Sequence, residues 1–248
     1  MGMFTRITRS ANALRPCSFT PNIAANATGS VLIEMGDTKV ICAASFESKT
    51  PAWMKKQQLL HQGWVSAEYA MLPYATAERK MRECSANKRD ARSVEIQRLI
   101  GRSLRAVMDL TALEGYTLWI DCDVLQADGG TRTVSISGAY VAAQFAIQRL
   151  LADGKLKRNP FTDSVAAISV GLSDGTALLD LDYEEDSNAD VDFNVVMSGN
   201  GKLVEIQGTA ERQTFSQDQL NALIQLAQSG IVQIQTLQQQ VLDHYRTK

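Results

Sequence analysis

Histidine is nearly absent from this sequence, and its scarcity excludes a large class of enzyme mechanisms. The chain has two histidines in 248 residues, His61 and His244. Histidine is the usual general base and the usual partner of a nucleophilic serine, so imidazole chemistry and a Ser-His-Asp arrangement have little material here. The four cysteines are widely spaced and include no Cys-x-x-Cys pair. Their spacing argues against a zinc site or a disulfide framework and indicates a reducing compartment.

Long apolar runs and a strong net charge are missing too. No segment approaches the roughly 18 consecutive apolar residues of a membrane span, and the N-terminus lacks the apolar core of a signal peptide. We therefore expect a soluble, cytoplasmic protein with no membrane partner. The formal net charge of −2 indicates no general affinity for nucleic acid, so any surface that binds nucleic acid has to be local.

The pattern of apolar residues predicts a single α+β domain. Apolar residues make up 45% of the chain, which is enough to bury a full core without cross-links. A β-hairpin is predicted over 30–46, and the segments 8–21 and 51–62 are predicted to be irregular. Helical periodicity predicts three long helices, over 92–110, 134–151 and 216–241. Alternating or continuous apolar runs predict short strands over 63–69, 117–124, 165–172, 177–182, 191–197 and 202–207.

A glycine turn at 125–133, with the sequence LQADGGTRT, joins a predicted strand to a predicted helix. Paired glycines let the backbone approach a ligand closely, and the free N–H groups at a helix start attract an anion. Arg132 adds a guanidinium that can hold phosphate through two hydrogen bonds. The turn is a candidate anion site, although an ordinary strand-to-helix turn that needs glycine for its geometry has the same pattern.

Positive charge is concentrated between residues 79 and 105, a segment with nine basic and three acidic residues. The basic residues are Arg79, Lys80, Arg82, Lys88, Arg89, Arg92, Arg98, Arg102 and Arg105. The last three share one face of a predicted helix. The segment is either a patch that neutralises a phosphate backbone or a solvated helix face.

Negative charge is concentrated between residues 180 and 192. The acidic residues are Asp180, Asp182, Glu184, Glu185, Asp186, Asp190 and Asp192. Clustered carboxylates suit Mg²⁺, which often bridges protein oxygens to a substrate phosphate; the alternative is a charged turn that keeps strand edges soluble. An anion site, arginines and carboxylates together indicate phosphoryl chemistry performed by positioning and charge neutralisation.

Six blocks of sequence carry a resemblance to one known family. In chain order they are 30–43 (SVLIEMGDTKVICA), 63–73 (GWVSAEYAMLP), 92–106 (RSVEIQRLIGRSLRA), 125–136 (LQADGGTRTVSI), 183–197 and 205–211 (EIQGTAE). Together they resemble the RNase PH family of phosphorolytic 3′→5′ exoribonucleases, also called tRNA nucleotidyltransferases. The resemblance implies a catalytic domain over residues 9–241, which leaves 1–8 and 242–248 as flexible termini.

The resemblance implies a two-layer βαβα domain of ribosomal-protein-like fold that assembles as a ring. The ring would be a homohexamer, a trimer of dimers. Inorganic phosphate would attack the 3′-terminal phosphodiester of RNA and release a nucleoside diphosphate, and the reverse reaction would add nucleotides. The implied RNA substrates are tRNA precursors, with rRNA as a further substrate.

Residue by residue, the resemblance assigns a phosphate site, a metal site and an RNA contact. The phosphate-binding residues of the family fall on Arg92, Gly130, Thr131 and Arg132. Its two aspartates, which would hold Mg²⁺, fall on Asp186 and Asp192. Arg92, Arg132, Asp186 and Asp192 are thereby the expected catalytic residues, and Arg79 and Arg82 are expected to bind RNA.

The chain departs from the family pattern in three places, which concern subunit contacts and tRNA binding rather than phosphate chemistry. Residues 55–62 (KKQQLLHQ) replace a glycine-rich stretch, Tyr74 replaces a frequent arginine, and Ala91 replaces a common glycine.

Two alternatives accompany the leading hypothesis of a phosphorolytic exoribonuclease. One is a non-catalytic RNA-binding ring subunit of an exosome-type assembly, which loss of the Gly-Thr-Arg motif or of an aspartate would favour. The other is a hydrolytic nuclease, which would use the same carboxylates but would have no use for a phosphate pocket. The chain retains Gly130, Thr131, Arg132 and both aspartates, which favours phosphorolysis.

Overall fold

A computed structural model describes residues 6, 9–82 and 90–246. Within these residues the chain forms nine strands and five helices. In chain order they are β1 (Cys17–Pro21), β2 (Gly29–Met35), β3 (Thr38–Glu47), α1 (Ala52–Lys56), β4 (Trp64–Met71), α2 (Ala91–Arg105), β5 (Thr117–Gln126), α3 (Thr131–Ala152), β6 (Val165–Ser173), β7 (Thr176–Leu179), α4 (Tyr183–Asn188), β8 (Val191–Ser198), β9 (Leu203–Ala210) and α5 (Gln217–Arg246). None of the described helices is both long enough and apolar enough to span a membrane.

The first sheet has the strand order β1-β2-β3-β5-β4. Its neighbours pair antiparallel except β4 and β5, which pair parallel and are connected through α2. Alternate residues of β2 and β3, such as Ile33 and Val40, are fully buried because successive side chains of a strand point to opposite faces. Helices α2 and α3 pack on this sheet. The parallel pair places the carboxyl ends of β4 and β5, and therefore the chain leading into both helices, at one edge.

The second sheet has the order β7-β6-β8-β9 and is antiparallel throughout. Helix α5 packs on it, and α3 packs on both sheets. Because α3 lies between the sheets, it is buried on nearly every side, which explains its small residues. A Cβ at Gly138 would lie 2.6 Å from Ile33 Cγ2 and 2.7 Å from Cys42 Sγ. Each sheet with its helices is a two-layer unit, and the predicted α+β class is confirmed.

The structure corrects the predictions for two segments expected to be irregular. Residues 17–21 form β1, which pairs with β2. The segment 51–62 contains the short helix α1. Both elements depend on contacts with the rest of the fold, since five residues of strand or helix are not stable alone.

The acidic segment after β7 is a helix rather than a loop. The predicted strand 177–182 ends early, because Asp180 takes a left-handed conformation with φ +56°. Asp182 then caps α4: its side chain accepts a hydrogen bond from the N–H of Glu185 at 2.9 Å, and the Glu185 carboxylate accepts from the N–H of Asp182 at 3.0 Å. This reciprocal pair is a capping box, which starts a helix.

The chain ends are predicted to be flexible, and described residues at both ends contact the rest of the fold. Helix α5 continues past residue 241 to Arg246, and Leu242 is 2% exposed. At the other end, the Arg6 guanidinium donates to Glu185 at 2.6 Å. Lys88 and Arg89 of the basic segment lie outside the described residues.

Candidate active site

The first side of the candidate site is built by the starts of α2 and α3, which the parallel pair β4–β5 brings to one edge. Gly129 and Gly130 adopt φ values of +75° and +64°, which glycine takes without strain. Within the part of the chain described here, no side chain caps α3, so its first N–H groups are free for an anion. Arg132 lies on the first turn of α3, and Arg92 lies on the first turn of α2.

The second side of the site is built by α4 and β8, and the start of α4 lies directly against the glycine turn. A Cβ at Gly129 would lie 2.4 Å from the carbonyl oxygen of Leu181 and 2.8 Å from Asp182 Cα. The N–H of Tyr183 also donates to Asp128 Oδ1 at 3.3 Å. The missing side chain at Gly129 therefore lets α4, which contains Asp186, begin beside the glycine turn at 125–133, the candidate anion turn.

A cleft of about 590 Å³ lies between the two sides. It is lined by the predicted residues Arg92, Gly130, Thr131, Arg132, Asp186 and Asp192 together with Glu95, Ser169, Ser187, Asn194, Gln207, Thr209, Glu211 and Arg212. The structure thus brings all the predicted phosphate and metal residues to one cavity, although they are up to 100 residues apart in sequence.

Hydrogen bonds hold the side chains at the start of α3. Arg132 Nη1 donates to Gln207 Oε1 at 2.8 Å and to Glu95 Oε1 at 3.3 Å. The hydroxyl groups of Thr131 and Tyr69 lie 2.8 Å apart, and both residues are buried. These contacts leave the guanidinium of Arg132 at the cleft wall with only part of its hydrogen-bonding capacity used.

The two aspartates are held in surroundings that disfavour their charge. Burial raises the pKa of Asp192, and the nearby carboxylates of Asp186 and Glu211 raise it further. Burial also raises the pKa of Asp186, while Arg92 and Arg132 oppose that shift. Carboxylates in such surroundings are common at functional sites.

One carboxylate oxygen of Asp192 is unpaired among the described residues. Asp192 Oδ1 is buried and has no hydrogen-bond donor within the described part of the chain. Among the described residues, no group of three or more His, Cys, Asp or Glu side chains could hold a metal ion. Two carboxylates nevertheless fit Mg²⁺, which keeps several waters and takes further oxygens from substrate phosphates. The donor set therefore suits a hard divalent cation that shares its coordination with a substrate.

A second cavity, of about 700 Å³, borders the first and shares Arg92, Gly130, Thr131 and Asp186 with it. Arg79 and Lys80 line it, and so does the exposed ring of Tyr183. Arg82 is not among the lining residues; it lies near Asp123, whose burial-raised pKa it partly lowers. The structure thus places Arg79, but not Arg82, beside the cleft.

The basic face predicted on α2 is engaged by contacts within the chain. Arg102 Nε lies 2.7 Å from Glu205 Oε2. The Arg105 guanidinium lies 4.4 Å from the ring centroid of Trp64 and donates to the Val65 carbonyl at 2.8 Å. These contacts explain two of the three arginines of that face as parts of the fold.

The residues that β9 and its C-terminal end contribute to the cleft are not among the predicted site residues. Asp192 on β8 pairs in register with Thr209, and Asn194 pairs with Gln207. Strand alternation from Asp192 could have identified Asn194, but its partners on β9 depend on the register of the hairpin. Ser169 and Arg212 had no signal in the sequence.

The fold and the cleft define an enzyme that transfers phosphoryl or nucleotidyl groups, since free helix N–H groups and arginines face carboxylates across one cavity. Comparison with known proteins agrees. The 3′ exoribonuclease family matches with its domain 1 over residues 13–146 and its domain 2 over residues 163–230. The first match runs from β1 into α3 and so covers the first sheet. The second match runs from β6 to the middle of α5.

Curated relatives match along almost the whole chain. Ribonuclease PH of Neisseria meningitidis serogroup B is 53% identical over 239 residues, which cover 96% of this chain and 98% of the relative. The serogroup C protein matches to the same extent. The chain belongs to the ribonuclease PH family, and its enzyme class is that of the phosphorolytic 3′→5′ exoribonucleases, which are nucleotidyltransferases.

Two solved structures share the fold at low sequence identity. Rice (Oryza sativa) Rrp46 has a TM-score of 0.75 at 21% identity, over 95% of this chain and 98% of that one. A chain of the Archaeoglobus fulgidus exosome with RNA bound to the active site has a TM-score of 0.77 at 20% identity, over 92% and 90%.

Proposed function

We propose that this protein trims the 3′ ends of tRNA precursors by phosphorolysis, in the cytoplasm, as a homohexameric ring with Mg²⁺ held by Asp186 and Asp192. One observation carries the proposal: a single cleft holds an uncapped helix start with two arginines on one side and two aspartates on the other. The first side fits the attacking phosphate, and the second fits the cation that a transferring phosphodiester needs.

The attacking phosphate would be bound by the start of α3. The free N–H groups of Thr131 and Arg132 would donate to its oxygens, and the guanidinium groups of Arg92 and Arg132 would orient it. Phosphate arrives already anionic, so the mechanism requires no general base. This agrees with a cleft that contains no histidine among its lining residues.

The residues around Asp192 fit a bound Mg²⁺, because a buried carboxylate oxygen without a donor is available for it. When bound, Mg²⁺ supplies positive charge that offsets the negative charge developing on the scissile phosphate and the leaving 3′-oxygen. Arg212 supports this side of the cleft: its Nη2 donates to the carbonyl of Ser187 at 3.2 Å, next to Asp186.

The RNA strand would enter past the second cavity. Arg79 and Lys80 line that cavity, and positive charge there would neutralise backbone phosphates. Arg82 follows in the same segment and would contact RNA farther from the cleft. The reverse reaction would use the same site to add a nucleotide from a nucleoside diphosphate.

The test is a product analysis with 3′-extended tRNA and Mg²⁺, with and without inorganic phosphate. Release of nucleoside diphosphates only when phosphate is present supports the proposal. Nucleoside monophosphates in both reactions would indicate a hydrolase, and no release would indicate a non-catalytic RNA-binding ring subunit. rRNA with an extended 3′ end, tested in parallel, separates a tRNA preference from general trimming.

A further inference from the structure

The two sides of the cleft belong to different halves of the molecule. The anion turn, Arg92 and Arg132 belong to the half built on the first sheet, and Asp186 and Asp192 belong to the half built on the second. Phosphoryl transfer by positioning depends on the distance between these groups, and a displacement of about 1 Å can cost roughly 100-fold in rate. Contacts that cross between the halves therefore control the geometry of the site.

Arg15 makes several of these contacts. Its Nε and Nη2 donate to the two carboxylate oxygens of Asp180 at 3.0 and 2.7 Å, and its backbone N–H donates to the same carboxylate at 2.8 Å. Its Nη1 donates to the carbonyl oxygen of Asp128, which lies in the anion turn directly before the two glycines. One guanidinium thus joins the anion turn to the segment that leads into α4.

The surroundings of Arg15 are adapted to it. Arg15 is 6% exposed and Asp180 is 1% exposed. Asp180 holds an unfavourable left-handed conformation, φ +56°, in which its carboxylate accepts all three Arg15 donors. A Cβ at Gly36 would lie 2.6 Å from Arg15 Cδ, so the β2–β3 turn needs glycine to admit the arginine stem. A left-handed residue in a buried place persists only where its surroundings hold it there.

Arg9 supports α4 separately. Its Nη2 donates to Glu185 Oε2 at 2.7 Å and to the carbonyl oxygen of Asp180 at 2.5 Å. Glu185 is 2% exposed and directly precedes Asp186. Among the described residues, Arg9 contacts its own segment and residues 179–185, including Asp180 Oδ2 at 3.6 Å from its Nη1. Arg9 therefore restrains the aspartate side without a hydrogen bond to the anion turn.

We infer that Arg15 and Arg9 are positioning residues. Arg15 sets the distance between the anion turn and the Asp186 side of the cleft, whereas Arg9 helps to fix only the Asp186 side. The inference rests on the proposed function. A buried ion pair is weak evidence for stability, because apolar residues of similar size often stabilise as well. The geometry of the two arginines, rather than their charge, is what the site uses.

The experiment compares Arg15→Lys with Arg9→Lys in the full-length protein. Lysine keeps the charge but cannot bridge Asp180 and Asp128 at once, since it lacks the planar fork. We measure Mn²⁺ binding to the free protein by EPR, and kcat and the KM for phosphate in the Mg²⁺ reaction. Arg15→Lys is expected to weaken Mn²⁺ binding roughly 10-fold to 100-fold, as loss of a partner that orients a ligand does, and to raise the KM for phosphate. Arg9→Lys is expected to weaken Mn²⁺ binding and to leave the KM for phosphate within about twofold.

Arg105→Lys is the matched control, because its guanidinium also donates to a backbone carbonyl and is half-buried. It lies at the far end of α2 from the cleft, roughly 20 Å along the helix axis. This variant is expected to lower Tm and to leave both Mn²⁺ binding and the KM for phosphate unchanged.

Equal Mn²⁺ affinity in Arg15→Lys and wild type would overturn the inference. If circular dichroism shows that Arg15→Lys is unfolded, Arg9→Lys decides: unchanged Mn²⁺ affinity there overturns it, and weakened affinity with an unchanged KM supports it. Failure of the proposed function has a different signature, since the wild-type protein would then release no diphosphates while its Mn²⁺ binding could still respond to both substitutions.

Discussion

At the scale of single residues, the proposed metal ligands Asp192 and Asp186 carry a cost in stability. Burial and neighbouring carboxylates raise the pKa of Asp192 above its ordinary value. The folded state therefore holds this proton more tightly than the unfolded state does. By linkage, the free energy of unfolding falls as pH rises through the interval above the ordinary aspartate pKa. At neutral pH the ionised group destabilises the metal-free protein.

Asp192→Asn is expected to raise the Tm of the metal-free protein at neutral pH, because it removes a disfavoured charge without changing the size of the side chain. It is also expected to lower phosphorolysis by more than roughly 100-fold, since a proposed ligand is lost. Thermal melts with and without Mg²⁺, together with the phosphorolysis assay, check both effects. Asp153→Asn, at an exposed carboxylate paired with Lys155 at 3.1 Å, is the control. A metal-free Asp192→Asn protein that melts below wild type would contradict the argument.

Arg132→Ala tests the phosphate site. The substitution removes the guanidinium at the start of α3 while keeping the N–H groups, so kcat/KM is expected to fall roughly 100-fold or more with the fold intact. Diphosphate release and circular dichroism are measured together. Arg158→Ala removes an arginine from an exposed ion pair with Asp109 and is expected to behave like wild type. Near-wild-type diphosphate release by Arg132→Ala would mean that the phosphate lies elsewhere.

At the scale of elements, the site depends on two helix starts meeting a third short helix. The sequence pattern predicted α2 and α3, and their starts lie where the parallel strand pair places them. The short helix α4 was not predicted, because a run of acidic residues has the composition of an exposed turn. Asp182 and Glu185 form a local capping box, and the missing side chain at Gly129 lets that helix begin beside the turn.

Gly129→Ala tests that close approach. Its new Cβ would meet the backbone of residues 181–182 at 2.4 to 2.8 Å, so α4 must move away from the anion turn. We expect a lower Tm and at least about a 10-fold loss of kcat. Gly175→Ala is matched in backbone strain, with φ +74° against +75°, and its Cβ would meet nothing within 4 Å. Equal losses in both variants would attribute the effect to backbone strain alone.

At the scale of the whole molecule, two exposed places bear on the proposed ring. The departures from the family pattern, residues 55–62 and Tyr74, lie in exposed places: Leu60 is 61% exposed and Tyr74 is 68% exposed. Where exposed apolar side chains of this size lie together, they mark a surface that binds other molecules.

The ring hypothesis predicts that the active species contains six copies of the chain. Sedimentation velocity across a range of concentrations should show a hexamer with dimers as the main smaller species, and specific activity should follow the hexameric fraction. The hexameric fraction and the specific activity are compared between two variants. Tyr74→Ser removes an exposed ring, and Tyr183→Ser removes an exposed ring beside the cleft. A monomer with full specific activity would exclude the ring as a requirement.

The sequence by itself determined the elements whose signals are local. Alternation in β2 and β3, helical periodicity in α2 and α3, and the paired glycines before Thr131 are each visible within about ten to twenty residues. The six candidate phosphate and metal residues could be chosen from such signals and from the family resemblance. The structure places all six in one cleft.

Only the tertiary structure decided how the elements around the cleft come together. β1, α4 and the register of β9 depend on neighbours far along the chain, because short elements gain their stability from packing rather than from their own sequence. Arg15 illustrates the reason: nothing near it in sequence marks it, and its partners Asp128 and Asp180 follow 113 and 165 residues later. A contact of that kind exists only once both sheets have packed on α3.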